Sequence, residues 1–175
     1  MLKPKYEVID NFTEDYTNDH IHNIISSKTF PWYLGNKVGK TKELWDFQSY
    51  HMIYYNRDHY KSNYYSLIES LLKKLDIGVL LKIKINCTTY TKEILKYPLH
   101  TDFNIKAKTC IYYVNDNNGY TYFNDGSKVY SKARRLVKFD SKHMHSGTTS
   151  TDSKYRFVIN INYIPIEVIT YDKEI

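Results

Sequence analysis

Residues 98–123 read PLHTDFNIKAKTCIYYVNDNNGYTYF. Two runs in this stretch, KTCIYYV and YTYF, carry the β-branched and aromatic residues of strands, and Asn118-Gly119 between them reads as a tight turn. Just upstream, His100 and Asp102 stand one residue apart. Two residues flanking one position at a strand end can both aim at a metal, provided a third ligand arrives from a strand lying alongside. Standing alone, the pair reads equally as a loop histidine and a turn-capping carboxylate.

Working outward, strand signals continue on both sides. In LLKIKINC, Leu81, Ile83, Ile85 and Cys87 alternate with Lys82, Lys84 and Asn86, so this strand has one apolar and one polar face. After the quoted stretch come KVY, RLVKF and YRFVININYI, with Asp125-Gly126 as a second turn. Short strands with frequent turns predict a sandwich, barrel or jelly roll. Residues 1–79 read differently. YTNDHIHNIISS places Thr17 or Asn18 as N-cap ahead of Ile21, Ile24 and Ile25 at helical spacing. SNYYSLIESLLKKLDIG sets Leu67, Ile68, Leu71, Leu72 and Leu75 on one stripe and predicts the strongest helix, ended by Gly78. The expected class is mainly β with an α+β character: a sandwich, barrel or jelly roll over 80–165, supported by helices and edge strands from 1–79, as a single domain spanning 1–175.

Composition narrows the function classes. With 175 residues the chain can bury a full core, and its 19 Tyr let aromatic rings build much of it. Net charge is +6, but the lysines are scattered and the arginines are Arg57, Arg134, Arg135 and Arg156, so there is no basic helix face and specific nucleic-acid binding is not expected. Cys87 and Cys110 make neither a disulfide framework nor a zinc site and read as core thiols of a reducing compartment. No apolar run approaches a membrane span, and MLKPKYEVIDNF has no apolar leader segment, so a cytoplasmic protein is expected.

The third ligand comes from KHMHSGTT, where His143 and His145 follow RLVKF. Two neutral imidazoles and one carboxylate make a facial set that suits ferrous iron and leaves adjacent positions open. Arg156 shares a strand face with Val158, Asn160 and Asn162. An arginine inside a barrel is costly unless it meets an anion, which a dicarboxylate co-substrate supplies; a structural ion pair is the other reading.

These words, HTD, KTCIYYVND, GYTYF, HSGTT and the arginine before a run ending INY, resemble the 2-oxoglutarate and Fe(II)-dependent dioxygenase superfamily, in its prolyl-4-hydroxylase-like branch. The resemblance covers about half the chain, from Leu80 to Tyr163, and implies that the core over 80–165 is a double-stranded β-helix, a jelly-roll or cupin-like barrel with N-terminal supporting helices. It implies His100, Asp102 and His145 as iron ligands, with His145 preferred over His143 for its HSGT context. It implies Arg156 as the partner of the distal carboxylate of 2-oxoglutarate, Tyr113 contacting that carboxylate, Thr121 lining the co-substrate pocket, and Tyr90 or Asn86 completing it. The implied cofactors are Fe(II), 2-oxoglutarate and O₂; the implied reaction is hydroxylation of a C–H bond with release of succinate and CO₂. The substrate is a peptidyl residue or a small molecule.

Departures bear on that substrate. Collagen-type relatives carry Lys where Arg156 stands and a double Gly where Asn118-Gly119 stands. Asp102 leaves no position for halide, and Asn162 stands where nucleobase demethylases have a second Arg. FPWYLGN resembles small phage-like members, for which the compartment is the host cytoplasm. Two other classes remain open: a non-catalytic jelly-roll binding or virion-associated protein, and a cupin-type metal enzyme that uses no 2-oxoglutarate.

Overall fold

The computed structural model describes residues 5–35 and 47–171. The large sheet holds β1 (Tyr6–Ile9), β2 (Tyr33–Gly35), β3 (Gln48–Tyr55), β4 (Tyr60–Lys61), β5 (Ile77–Thr89), β6 (Lys108–Tyr113), β9 (Leu136–Asp140) and β11 (Tyr155–Pro165). Its order is β1-β9-β6-β11-β5-β3-β2, with β4 on β3. A small sheet, β10-β7-β8, is formed by β7 (Tyr120–Phe123), β8 (Lys128–Tyr130) and β10 (His145–Gly147). All pairings between these strands are antiparallel, and the two sheets make the expected double-stranded β-helix.

The alternation along β5 and β11 is what positions the site. Because side chains change face at every residue, the register Phe157↔Cys87, Ile159↔Ile85 and Ile161↔Ile83 puts six apolar side chains on one side. They form the main core with Cys110, Tyr112 and Tyr163, under helix α1 (Asp15–Ile25), which contributes Ile21 and Ile25. Each fully buried aliphatic side chain there is worth about 1.5–3 kcal/mol. The intervening pairs Arg156↔Thr88, Val158↔Asn86, Asn160↔Lys84 and Asn162↔Lys82 face the small sheet. A second apolar cluster, Ile111, Tyr113, Phe123, Val129, Val137, Phe139 and Val158, closes part of that inner space.

Four local expectations are corrected. Asn118-Gly119 does not join a hairpin: β6 pairs with β9 and β11, whereas β7 pairs with β10 and β8, so the chain crosses between sheets here. The helix expected after Ser62 is a 3₁₀ turn (Tyr65–Ile68) leading into one α turn, α2 (Glu69–Leu72). Burying Ile68 and Leu71, three apart, needs no longer element, and β5 has already begun at Ile77 to pair with Pro165. Gly78 is no helix cap, since it lies inside β5, where a Cβ would come 2.3 Å from Ile169 Cδ1 of helix α3 (Ile166–Tyr171). Asn18 sits within α1 with its side chain buried, donating to the Val114 carbonyl at 3.0 Å and accepting from Tyr112 Oη at 2.8 Å; Glu14 occupies the N-cap. FPWYLGN supplies β2, and its Asn36 lies outside the described residues.

Candidate metal and co-substrate site

His100 and His145 face each other across a two-residue antiparallel bridge, each backbone N–H donating to the other's carbonyl at 3.0 Å. Pairing of β10 with β7 fixes His145 opposite Phe123. The two imidazoles are oriented alike: His100 Nδ1 lies 3.2 Å from the Pro98 carbonyl and His145 Nδ1 lies 2.9 Å from the His143 carbonyl. A carbonyl can only accept, so Nδ1 carries a proton in both rings and Nε2 is the nitrogen left to face a metal. Burial holds the His145 imidazole below its usual range against the pull of Asp102, which keeps it neutral.

Asp102 completes the cluster. Its Oδ1 lies 3.9 Å from His100 Nε2 and its Oδ2 lies 3.9 Å from His145 Nε2, and one donor atom from each of the three residues falls within 4.8 Å of the others. Oδ2 accepts from Thr109 Oγ1 (3.0 Å), Asn160 Nδ2 (3.2 Å) and Asn162 Nδ2 (2.8 Å). The Lys82 ammonium lies 3.9 Å from Oδ1. Burial works to raise the carboxyl, but Lys82, His145 and the two asparagine amides outweigh it and hold Asp102 at about 2. An ionised carboxylate and two imidazoles presenting Nε2 on one face are the donor set a divalent iron takes.

At the far end of the same cavity lies Arg156, 3% exposed. Its Nε donates to Ser131 Oγ at 3.0 Å and its guanidinium stands 5.7 Å from the Tyr113 ring, while Nη2 has no partner. No ion pair to Arg156 occurs among the described residues, so the structural ion-pair reading lacks its partner. Gly119 gives the side chain its room: a Cβ there would come 2.6 Å from Arg156 Cδ and 2.8 Å from Nε. The cavity between the two ends is about 150 Å³. Of seven buried polar side-chain atoms without a hydrogen bond among the described residues, five belong to cavity-lining residues: Asn86, Thr88, Ser146, Arg156 and Asn160. Buried polar atoms rarely stay unpaired, so their concentration here marks the place of a polar ligand.

The structure therefore brings together His100, Asp102, His145, Arg156 and Thr121 around one cavity, with Asn86 on its wall. Tyr113 is fully buried behind that wall, its hydroxyl 2.7 Å from Thr121 Oγ1 and 3.2 Å from the Val129 carbonyl, so it backs Thr121 and Arg156. Tyr90 is 53% exposed and does not line the cavity. His143 packs its ring against Phe123 and contributes its carbonyl to His145. Sequence reasoning did not find Thr109, Ser131 or Ser146, which look like ordinary strand and loop residues, nor the inward aim of Lys82 and Lys84. For the lysines a signal was available: they share the face of Asn86 on the strand preceding HTD.

No family model matches the sequence, and no curated protein resembles it closely enough in sequence to match. Solved structures do match the fold. A prolyl hydroxylase from Trichoplax adhaerens, in complex with a peptide fragment of the hypoxia inducible factor oxygen degradation domain, superposes with a TM-score of 0.60 at 16% identity, covering 97% of this chain and 87% of that one. A 2-oxoglutarate–Fe(II) oxygenase family oxidoreductase from Burkholderia pseudomallei gives 0.65 at 8% identity, covering 91% and 85%. The fold is that of the 2-oxoglutarate–Fe(II) oxygenases. HygX from Streptomyces hygroscopicus, solved with nickel, 2-oxoglutarate and hygromycin B, shares this oxygenase fold at a TM-score of 0.59 and 10% identity, over 93% of this chain and 83% of that one. Within the oxygenase fold HTD falls in the loop between β5 and β6, HSG forms β10 and Arg156 stands on β11, all around the cavity. No helix among the described residues is long and apolar enough to cross a membrane.

Proposed function

We propose that the protein is a 2-oxoglutarate and Fe(II)-dependent oxygenase that hydroxylates a C–H bond, with His100, Asp102 and His145 holding the metal and Arg156 the distal carboxylate of 2-oxoglutarate. One observation carries the reading: a fully buried guanidinium with an unpartnered Nη2 ends the cavity that a His-Asp-His cluster begins. A dicarboxylate whose other end chelates a metal answers both demands at once, and a cupin-type enzyme without 2-oxoglutarate leaves the arginine unanswered. When bound, Fe(II) and 2-oxoglutarate supply dioxygen activation, with release of succinate and CO₂.

The chain's own residues position and exclude. Asn160, Asn162 and Thr109 fix the rotamer of Asp102, and the Pro98 and His143 carbonyls fix the two imidazoles. Ser131 and the Tyr113 ring hold the Arg156 fork, and Thr121 lends a hydroxyl beside it. Phe139, 4.5 Å from the His145 ring, and Phe123 keep water from that side. One neighbour was solved with a peptide fragment and another with hygromycin B, in keeping with a peptidyl residue or a small molecule as the substrate of this chain. The buried free thiols of Cys87 and Cys110 suit a cytoplasmic setting.

The test is calorimetric. Titration of 2-oxoglutarate into Mn(II)-loaded protein is expected to show one site that requires the metal, disappears in Asp102→Ala and weakens markedly in Arg156→Met. Equal binding with and without metal, or to Arg156→Met and wild type, would overturn the assignment.

A further inference from the structure

The oxygenase reading accounts for Asp102 and Arg156 but leaves two cations on the cavity wall. Lys82 and Lys84 project from β5 on the face that carries Asn86 and Thr88, and all four line the cavity. The Lys82 ammonium has the Asp102 carboxylate within 3.9 Å. The Lys84 ammonium lies 5.6 Å from the Tyr50 ring on β3, and no carboxylate of the described residues lies within ion-pair distance of it. Burial and the adjacent Lys82 bring Lys84 down to about 8, the mark of an ammonium held out of water beside a like charge.

Charge balance shows what is missing. With the site loaded, a divalent metal and Arg156 are neutralised by Asp102 and the two carboxylates of 2-oxoglutarate. Asp102 is then claimed by the metal, so Lys82 loses its counter-charge and Lys84 gains none. Two like charges on alternate residues of one strand, partly desolvated, are unfavourable until an anion sits between them. They stand on the β5 and β3 side of the cavity, where Gln48 also lines the wall, while Arg156 and Thr121 occupy the β11 and β7 side.

We infer that the molecule hydroxylated here is anionic and that Lys82 and Lys84 seat its carboxylate or phosphate group beside the metal position. This rests on the oxygenase reading, in which 2-oxoglutarate already occupies Arg156. It narrows the substrate class to an acidic metabolite or an acidic residue of a peptide, and it assigns Lys82 and Lys84 as specificity-determining residues. Cationic and neutral substrates are disfavoured by the same two charges.

The experiment uses Mn(II)-loaded protein saturated with 2-oxoglutarate, titrated with L-aspartate, inorganic phosphate and a capped tripeptide centred on Asp, against L-asparagine and the matching Asn tripeptide. Wild type is expected to bind one of the anionic probes at least about tenfold tighter than its neutral control. Lys84→Met is expected to lose that preference and Lys84→Arg to keep it, with 2-oxoglutarate affinity unchanged in both. The free amino acid, the peptide and phosphate separate the sources of the anion. No preference for any anion in wild type, or a Lys84→Met variant that weakens 2-oxoglutarate in place of the anion, would overturn the proposal. Failure of the oxygenase reading is seen separately, as 2-oxoglutarate failing to bind the Mn(II)-loaded wild type before any probe is added.

Discussion

β5 and β11 present two faces made by the same backbone, and the two are opposites. On the outer face Ile83, Ile85, Cys87, Phe157, Ile159, Ile161 and Tyr163 are buried against α1 and one another. On the inner face Lys82, Lys84, Asn86, Thr88, Arg156 and Asn160 surround a cavity, with four of these six carrying a buried polar atom that bonds to nothing among the described residues. One face is saturated by its own contacts; the other holds charges and amides that only a ligand can satisfy. The difference teaches that stability and function are divided along a strand by residue parity, so neighbours in sequence should fail in different ways when replaced.

The largest effect expected is on the inner face. His145→Ala removes an imidazole whose Nε2 points at the cluster and should abolish metal binding, measured by equilibrium dialysis, while the unfolding midpoint of the metal-free protein changes little by comparison. On the outer face, Ile159→Ala should do the reverse: about 2–5 kcal/mol lost in urea unfolding, with metal affinity of the folded protein retained. Asn162→Ala sharpens the contrast, since its amide holds Asp102 Oδ2 at 2.8 Å and Thr109 Oγ1 at 2.9 Å. Metal affinity should fall by about 10–100-fold, beside a stability loss of about 1–2 kcal/mol.

Acid provides a smaller test of the inner face alone. Asp102 is held at about 2, below the ordinary range of a carboxyl. Its contribution to the metal-free protein is therefore fully present above about pH 4 and is lost as pH falls through about 2. Relative to wild type, Asp102→Asn should lose stability at pH 6, and the gap should close towards pH 2. A pH-independent gap would mean that the Lys82, Asn160 and Asn162 contacts do not discriminate the charged form.

Much of this division was legible in the sequence because period-two alternation writes both faces into one string: Ile83 and Ile85 against Lys82 and Lys84, Ile159 and Ile161 against Asn160 and Asn162. The site words HTD and HSGT stand out between and on short strands, and Arg156 breaks an otherwise uncharged run, so the residues around the cavity could be named before their distances were known. What the alternation cannot say is what covers the polar face. Solvent and a lined cavity leave the same pattern: alternation puts Lys82 and Lys84 on the face of Asn86, but that this face lines a cavity follows from the packing of one sheet on the other. The turn at Asn118-Gly119 misled for a related reason: a dipeptide fixes local geometry, but which strands then pair is decided by distant partners, here β9 and β11 for β6. The stripe from Leu67 to Leu75 suggested a long helix because spacings of three and four are shared by a 3₁₀ turn followed by a single α turn, and the early start of β5 left no room for more.

The account turns on one cavity in which a dicarboxylate spans from a metal at His100, Asp102 and His145 to Arg156, and anaerobic visible absorption tests that most directly. Addition of Fe(II) and then 2-oxoglutarate to the wild-type protein is predicted to give the weak charge-transfer band of the chelate. That band should be absent in His100→Ala and should require far higher 2-oxoglutarate in Arg156→Ala. A folded, iron-loaded wild-type protein that shows no band, or an Arg156→Ala variant that titrates like wild type, would contradict it.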